Sequence, residues 1–425
     1  MIKITKYVNQ TAEELFGERE EITCNVEETV KEIIADVRAN GDAAVKKYSA
    51  KFDGFNGENL LVTEDEFEQA FEELPKEFIE VLERSIANIK NFHSRQLRTG
   101  FEIDLGDRIV GQKVTPVERA GIYVPGGTAA YPSTVLMNAI PAKIAGVKCI
   151  IMATPVKSDG KVKPEVLVAA RMCGVDKVFK MGGAQAIAAM AYGTESVPKV
   201  DKITGPGRDY VATAKKLVYG VACGIDMIAG PSEILVLADS NAKAEYVAAD
   251  MLSQAEHDKI ASAILITDSA ELAENVLKEL YRQVELLERK QIAKESLENK
   301  CKIILTSDLS AAVELCNQYA PEHLELAVKE PFKLLEKVKN AGSVFLGYNT
   351  PEAVGDYYAG ANHTLPTSGT ARFASPLSVD DFMKSTQYVY YTDKALKGAA
   401  SDIMTFAQSE GLGGHAESVA VRLKK

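Results

Sequence analysis

The chain has 425 residues, 46% of them hydrophobic, enough apolar material for two cores, because single cores rarely grow beyond roughly 250–300 residues. Its 49 basic side chains face 60 acidic ones, and the net charge of −11 argues against a phosphate-backbone partner. The opening MIKITKYVNQTAEELFGERE has no secretory apolar core, and no run approaches the roughly 18 uninterrupted apolar residues of a membrane span. The expectation is a soluble cytoplasmic protein with no nucleic-acid or membrane partner.

From about residue 26 to 100 the apolar spacing is helical, with Gly41 interrupting it. Strand signals begin with RIVGQKVTPVERAGIYVP and the turn Pro125-Gly126-Gly127. Short apolar runs then alternate with helical patterns: STVLMNAIPAKIAG, CIIMATPV, PEVLVAARMCG, KVFKMGG, AQAIAAMAYG, DKITGPG, YVATAKKLVYG. That alternation predicts parallel strands joined by helical crossovers. A second such series runs from EILVLAD to SVFLG and includes a long charged helix at 270–288. The stretch from about 378 reads as mostly helical and ends in GLGGHAE. With no linker between the two series, a boundary near Gly230-Pro231-Ser232 is only weakly marked.

The six cysteines, at 24, 149, 173, 223, 301 and 316, form no C-x-x-C pair. In so large a chain they read as reduced, inert core residues.

Five histidines can be weighed singly. His93, in NIKNFHSRQ, belongs to an amphipathic helix and reads as structural. His257 ends a helix with Gln254 one turn earlier on the same face, a geometry open to a ligand pair but read more simply as a solvated last turn, since Gln is a rare metal ligand. Pro321-Glu322-His323 sets an acid and an imidazole at a loop-to-strand junction, suited to proton transfer or to a plain polar turn. Asp356 and His363 lie in a long stretch, 347–372, without periodicity. Glu410 and His415 flank the terminal glycines, where a loose tail is the default. Gln254, His257, Asp356 and His415 together offer donors suited to zinc, though no spacing makes them converge. For a nucleotide, Gly205-Pro206-Gly207 opens a helix but Tyr210 replaces the third glycine of G-x-G-x-x-G. The turn Gly182-Gly183-Ala184-Gln185 suits a pyrophosphate at a helix N-terminus, or tight strand–helix packing.

The runs GIYVPGGTAAYPSTVLMNAIPAKIAG, MGGAQAIAAMAYGTESVPKVDKITGPG, IDMIAGPSEILVLAD, LSQAEH, NQYAPEHLEL, AGSVFLG, GDYYAGANHTLPT and GLGGHAESVAVR, in this order over nearly the whole chain, resemble the histidinol dehydrogenase family. The resemblance implies one zinc per subunit held by Gln254, His257, Asp356 and His415. It implies substrate contacts from those four, from His323, and from Ser232, His363 and Glu410, with Glu322 and His323 as the acid/base pair. It implies NAD contacts at Tyr123 and Gln185. A third such position is Asn in the family's G-P-G-N pattern and is Arg208 here, whose guanidinium suits a cofactor phosphate.

The implied fold is α/β, two incomplete Rossmann-like doubly wound domains with helical N- and C-terminal extensions. An arm at 1–22 precedes a first domain of 23–122 and 233–377. The second, 123–232, is inserted into it, and a C-terminal arm, 378–425, reaches the partner of a homodimer with shared active sites. The implied activity is the four-electron, NAD-dependent oxidation of L-histidinol through its aldehyde to L-histidine, the last steps of histidine biosynthesis. The competing readings are a paralogue acting on another primary alcohol, such as a sulfonated diol, and a non-catalytic metal- or nucleotide-binding protein.

Overall fold

The computed structural model describes residues 2–17, 26–126 and 130–424. Cys24, Gly127 and the arm boundary expected at 22/23 lie outside the described residues. Strand β1 (Ile4–Lys6) precedes the helices Glu27–Asp53, Glu64–Glu73 and Lys76–His93. The expected break at Gly41 is present as a kink with φ 51° and ψ −131°, a backbone conformation that glycine adopts most readily. Strands β2 (Phe101–Asp104), β3 (Arg108–Pro116) and β4 (Arg119–Tyr123) follow.

Next, β5 (Cys149–Thr154), β6 (Lys177–Lys180), β7 (Lys202–Thr204) and β8 (Gly224–Ile225) alternate with the helices Pro132–Ala145, Pro164–Met172, Gly183–Tyr192 and Asp209–Val218. The second series is β9 (Glu233–Ala238), β10 (Ser262–Thr267), β11 (Lys302–Leu305), β12 (His323–Ala327) and β13 (Ser343–Leu346). Helices Ala244–Ala255, Ala270–Gln283, Lys290–Lys300 and Leu309–Tyr319 connect them. The chain closes with β14 (Met383–Tyr391) and the helices Asp393–Ser409 and Gly413–Ala420.

Two compact units result, Met1–Gln96 with Val117–Phe382, and Leu97–Pro116 with Met383–Lys425. The larger holds two parallel sheets, ordered β6-β5-β4-β7-β8 and β1-β11-β10-β9-β12-β13. In each, the first strand of its series is central, the next two lie to one side and the last two to the other, which is the doubly wound α/β order. Alternation along β9 shows why helices cover both faces. Ile234, Val236 and Ala238 pack with Val247, Met251 and Val276, whereas Leu235 and Leu237 pack with Val313, Leu315 and Cys316. Each such buried Ile, Leu or Val contributes about 1.5–3 kcal/mol. Around the smaller sheet, Glu27–Asp53 packs on Gly183–Tyr192 and Asp209–Val218, and Lys76–His93 packs on Pro132–Ala145.

The smaller unit is a three-stranded antiparallel sheet, β14-β3-β2, with the last two helices. The stretch expected to be mostly helical from 378 therefore contains a nine-residue strand, MKSTQYVYY. Its Thr, Val and Tyr residues favour a pleated surface. Among the described residues no helix is long and apolar enough to cross a membrane.

Candidate active site

His323 opens β12 and pairs in register with Ile234 of β9, so Glu322-His323 stands beside Glu233-Ile234 at the amino ends of the two strands. Doubly wound sheets usually bind ligands at the carboxyl ends; this cluster uses the opposite edge. The helix after β9 runs back to that edge and delivers Gln254 and, just past its end, His257. Asp356 arrives on a π-helical turn, Gly355–Ala359, a rare element that recurs at functional sites.

The side chains converge on the His323 ring. Its Nδ1 lies 3.1 Å from the Glu233 carbonyl oxygen and 3.1 Å from the Gln254 amide nitrogen. A carbonyl only accepts and an NH2 only donates, so the two contacts ask for opposite tautomers. The Glu233 carbonyl is fixed in β9 while the Gln254 amide can turn, which assigns the proton to Nδ1. Nε2 then carries the lone pair, and it is buried with no hydrogen-bond partner among the described residues. Around the ring stand Glu322 Oε2 at 3.6 Å from Nδ1, and Glu352 Oε1 and Asp356 Oδ1 at 3.6 Å and 3.8 Å from Nε2. The Glu322 carboxylate also accepts the Glu233 N–H at 2.8 Å.

Burial dominates the electrostatics. It pushes the His323 pKa down to about 3, with the nearby His363 and His257 rings acting in the same direction, so the imidazole is neutral at physiological pH. Burial raises Glu322 well above the usual carboxylate range, and the Glu233 and Asp356 charges add to it. Desolvation lifts Asp356 to about 7. It lowers His363 to about 4, against the ring's hydrogen bond to the Asp356 main chain. His257 is lowered by desolvation and then by the Arg289 guanidinium.

Among the described residues, His323, Glu352 and Asp356 have ligand atoms that all lie within 4.8 Å of one another. Of the ligands expected from the resemblance, only Asp356 belongs to this trio; His257 stands outside it. The neighbourhood still offers an amide, imidazoles and carboxylates of the types zinc accepts, and the orphaned buried atoms His323 Nε2 and Glu352 Oε2 fit a cationic guest. Ser232, half-buried, precedes β9 and its carbonyl accepts from Ser262 N–H at 3.0 Å. Glu410 and His415 are exposed residues of the smaller unit, at the end of Asp393–Ser409 and on Gly413–Ala420.

Sequence reasoning missed Glu352, Glu325 and Asp250. Glu352 is buried four residues before Asp356, and its main-chain N–H donates to Glu325 Oε1 at 2.8 Å. Glu325 follows His323 by two and shares its strand face. Asp250, one turn before Gln254, hydrogen-bonds the Glu325 carboxyl. The i+2 and i+4 offsets were the available signals.

A second feature lies at the carboxyl ends of β4 and β7 in the smaller sheet, where its strand order reverses. Tyr123 is buried and its hydroxyl accepts the Gly183 N–H at 3.1 Å; burial raises its pKa to about 12. Among the described residues both amide atoms of the buried Gln185 lack partners. A Cβ on Gly182 would meet Pro155 Cβ at 2.4 Å, and one on Gly205 would meet the Tyr123 carbonyl oxygen at 2.1 Å. Glycines that let the backbone pack this closely, at a helix N-terminus beside the buried Gln185 amide, suit the approach of a pyrophosphate. Arg208 caps the next helix, exposed, and donates to Asp258 at 2.6 Å.

His93 is fully buried, its Nδ1 2.7 Å from Gln96 Oε1, in keeping with a structural role. Cys173, Cys301 and Cys316 are buried and Cys149 and Cys223 half-buried, all unpaired. Burial raises all five thiol pKa values, to about 12 for Cys173 and Cys301 and about 11 for Cys223, which suppresses the reactive thiolate.

The model of the family described as histidinol dehydrogenase matches residues 17–423. A histidinol dehydrogenase of Lactococcus lactis is 51% identical over 418 residues, covering 98% of this chain and 97% of that one. One of Streptococcus mutans is 54% identical, covering 94% of this chain and 93% of that one. The crystal structure of histidinol dehydrogenase from Elizabethkingia anophelis superimposes with a TM-score of 0.93 at 37% identity, covering 99% of this chain and 98% of that one. A family model over nearly the whole chain and relatives more than half identical over more than nine-tenths of it leave one conclusion: the chain belongs to the histidinol dehydrogenase family.

Proposed function

We propose that this oxidoreductase carries L-histidinol through L-histidinaldehyde to L-histidine in the cytoplasm, with zinc and NAD. The observation that carries the reading is the neutral, buried His323 ring with an unpartnered Nε2, set beside Glu322. Gln254, His257, Asp356 and the partner subunit's copy of His415 would hold one zinc per subunit. Bound there, the metal supplies a Lewis-acidic anchor for substrate nitrogen donors. Ser232 and His363 line the same edge, and Glu410 would reach it with His415.

His323 Nε2 accepts the alcohol proton while the carbinol hydride leaves to the first NAD. The aldehyde stays enclosed. Glu322, as carboxylate, then takes a proton from water as its oxygen adds to the aldehyde, and the hydrate gives its hydride to a second NAD. Each oxidation removes two electrons; the first releases one proton, and the second releases two once the acid ionises. Water is the nucleophile in the second step, so no cysteine thioester is required. Tyr123, Gln185 and Arg208 would contact the cofactor.

We take the two sheets as two Rossmann-like domains, 123–232 inserted between 23–122 and 233–377, with arms at 1–22 and 378–425. The terminal arm would dock on a second copy. The exposed Phe101, Ile103, Val389, Tyr390 and Phe406 of the smaller unit favour that reading, because monomers rarely leave so many large apolar groups open together. The deciding test is NAD reduction by the zinc-loaded chain. Two NADH per histidinol, ending in histidine, are expected; turnover of a sulfonated diol instead, or none of either, would overturn the reading.

A further inference from the structure

Beneath the glycine cradle of the smaller sheet lies an ion pair with no assigned role. Lys215 Nζ and Asp226 Oδ1 are 2.5 Å apart, and their side chains are 2% and 1% exposed. Lys215 projects from the helix Asp209–Val218, and Asp226 follows β8. Both reach the same residue: Lys215 Nζ donates to the Gly205 carbonyl at 2.8 Å, and Asp226 Oδ2 accepts the Gly205 N–H at 2.8 Å.

Gly205 needs such a hold. Its φ of +109° is a left-handed conformation, and it sits where a Cβ would strike the Tyr123 carbonyl. That places it at the mouth between β4 and β7, the topological switch point. A buried ion pair is a poor way to stabilise a fold, since apolar residues of like volume usually do as well or better. Apolar residues could not grip a main-chain donor and acceptor at once. The pair therefore makes sense through what it holds.

We propose that Lys215 and Asp226 are positioning residues for the dinucleotide: by clamping both polar groups of Gly205 they set the Gly205-Pro206-Gly207 turn against Tyr123, at the width a pyrophosphate requires. The inference rests on the reading of this cradle as the NAD site.

The test uses the full-length, zinc-loaded chain and NAD itself as probe. Lys215→Met strands a buried carboxylate and can fail to fold. The double variant Lys215→Met/Asp226→Asn removes both charges, keeps an acceptor for the Gly205 N–H and loses only the carbonyl grip. Calorimetric NAD titration of the double variant is expected to give a dissociation constant raised about tenfold, the scale of one hydrogen bond. The Michaelis constant for histidinol and the zinc content should stay at wild-type values, and main-chain amides of 202–208 should exchange faster. A folded double variant that binds NAD like wild type overturns the inference, as does equal weakening toward NAD and histidinol. A wild-type chain that binds no NAD overturns the underlying reading and the inference with it.

Discussion

Arg208 donates to the Asp258 carboxylate at 2.6 Å, one residue beyond His257, so a side chain at the mouth of the glycine cradle is tied to the segment that carries a proposed zinc ligand. The Arg208 side chain is 88% exposed, and exposed pairs contribute only about 0–1 kcal/mol. Arg208→Asn should therefore raise the Michaelis constant for NAD by no more than about fivefold at low salt, an effect that fades as salt screens it. The constant for histidinol should not change. Steady-state kinetics at two ionic strengths check this; an unaltered NAD constant at low salt would confine Arg208 to its contact with Asp258.

His257→Ala separates the two possible donor sets. If Gln254, His257, Asp356 and His415 hold the metal, the variant empties of zinc, and activity falls by more than the roughly 10–100-fold that loss of an outer-shell partner costs. Elemental analysis decides. Full zinc occupancy would assign the ion to His323, Glu352 and Asp356 instead. The fold should survive, because the two large α/β cores are built without the metal.

Glu322→Gln tests the division of labour between neighbours. Single-turnover histidinaldehyde oxidation should slow by about 10²–10⁴, the usual worth of a general base, with histidinol oxidation slowed less than about tenfold. Equal losses in both half-reactions would make Glu322 and His323 one coupled unit.

Sharing of sites between subunits has a mixing test. His257→Ala and His415→Ala chains should each be inactive, and heterodimers of the two should regain activity, since one site then inherits both defects and the other none. Co-expression with two affinity tags isolates the heterodimer. A verified heterodimer without activity would show that each chain completes its own site.

The strand order was legible because buried parallel strands are apolar runs that helices interrupt, as CIIMATPV and EILVLAD are. The kink at Gly41 and the acid-imidazole pair at the start of β12 could likewise be read from residue type and neighbours. β14 was not, because an aromatic strand that pairs with the distant β3 carries no local mark of its partner. Glu352 looked like a turn residue. What makes it part of the site is the approach of its turn to His323, which depends on where β13 leads the chain. The use of the amino edge was equally hidden: spacing puts Glu322 and His323 before a strand, but only pairing with β9 says what lies beside them.

The two edges have a consequence for redesign. The acid-imidazole cluster sits at the amino ends of β9 and β12, and the glycine cradle at the carboxyl ends of β4 and β7, so the two share no strand. Turns after β4, β6 and β7 can be diversified in a library while the strands that aim His323 and Glu322 stay untouched. A search for variants that accept a phosphorylated nicotinamide cofactor should begin there. The Arg208–Asp258 contact is the bridge to hold constant.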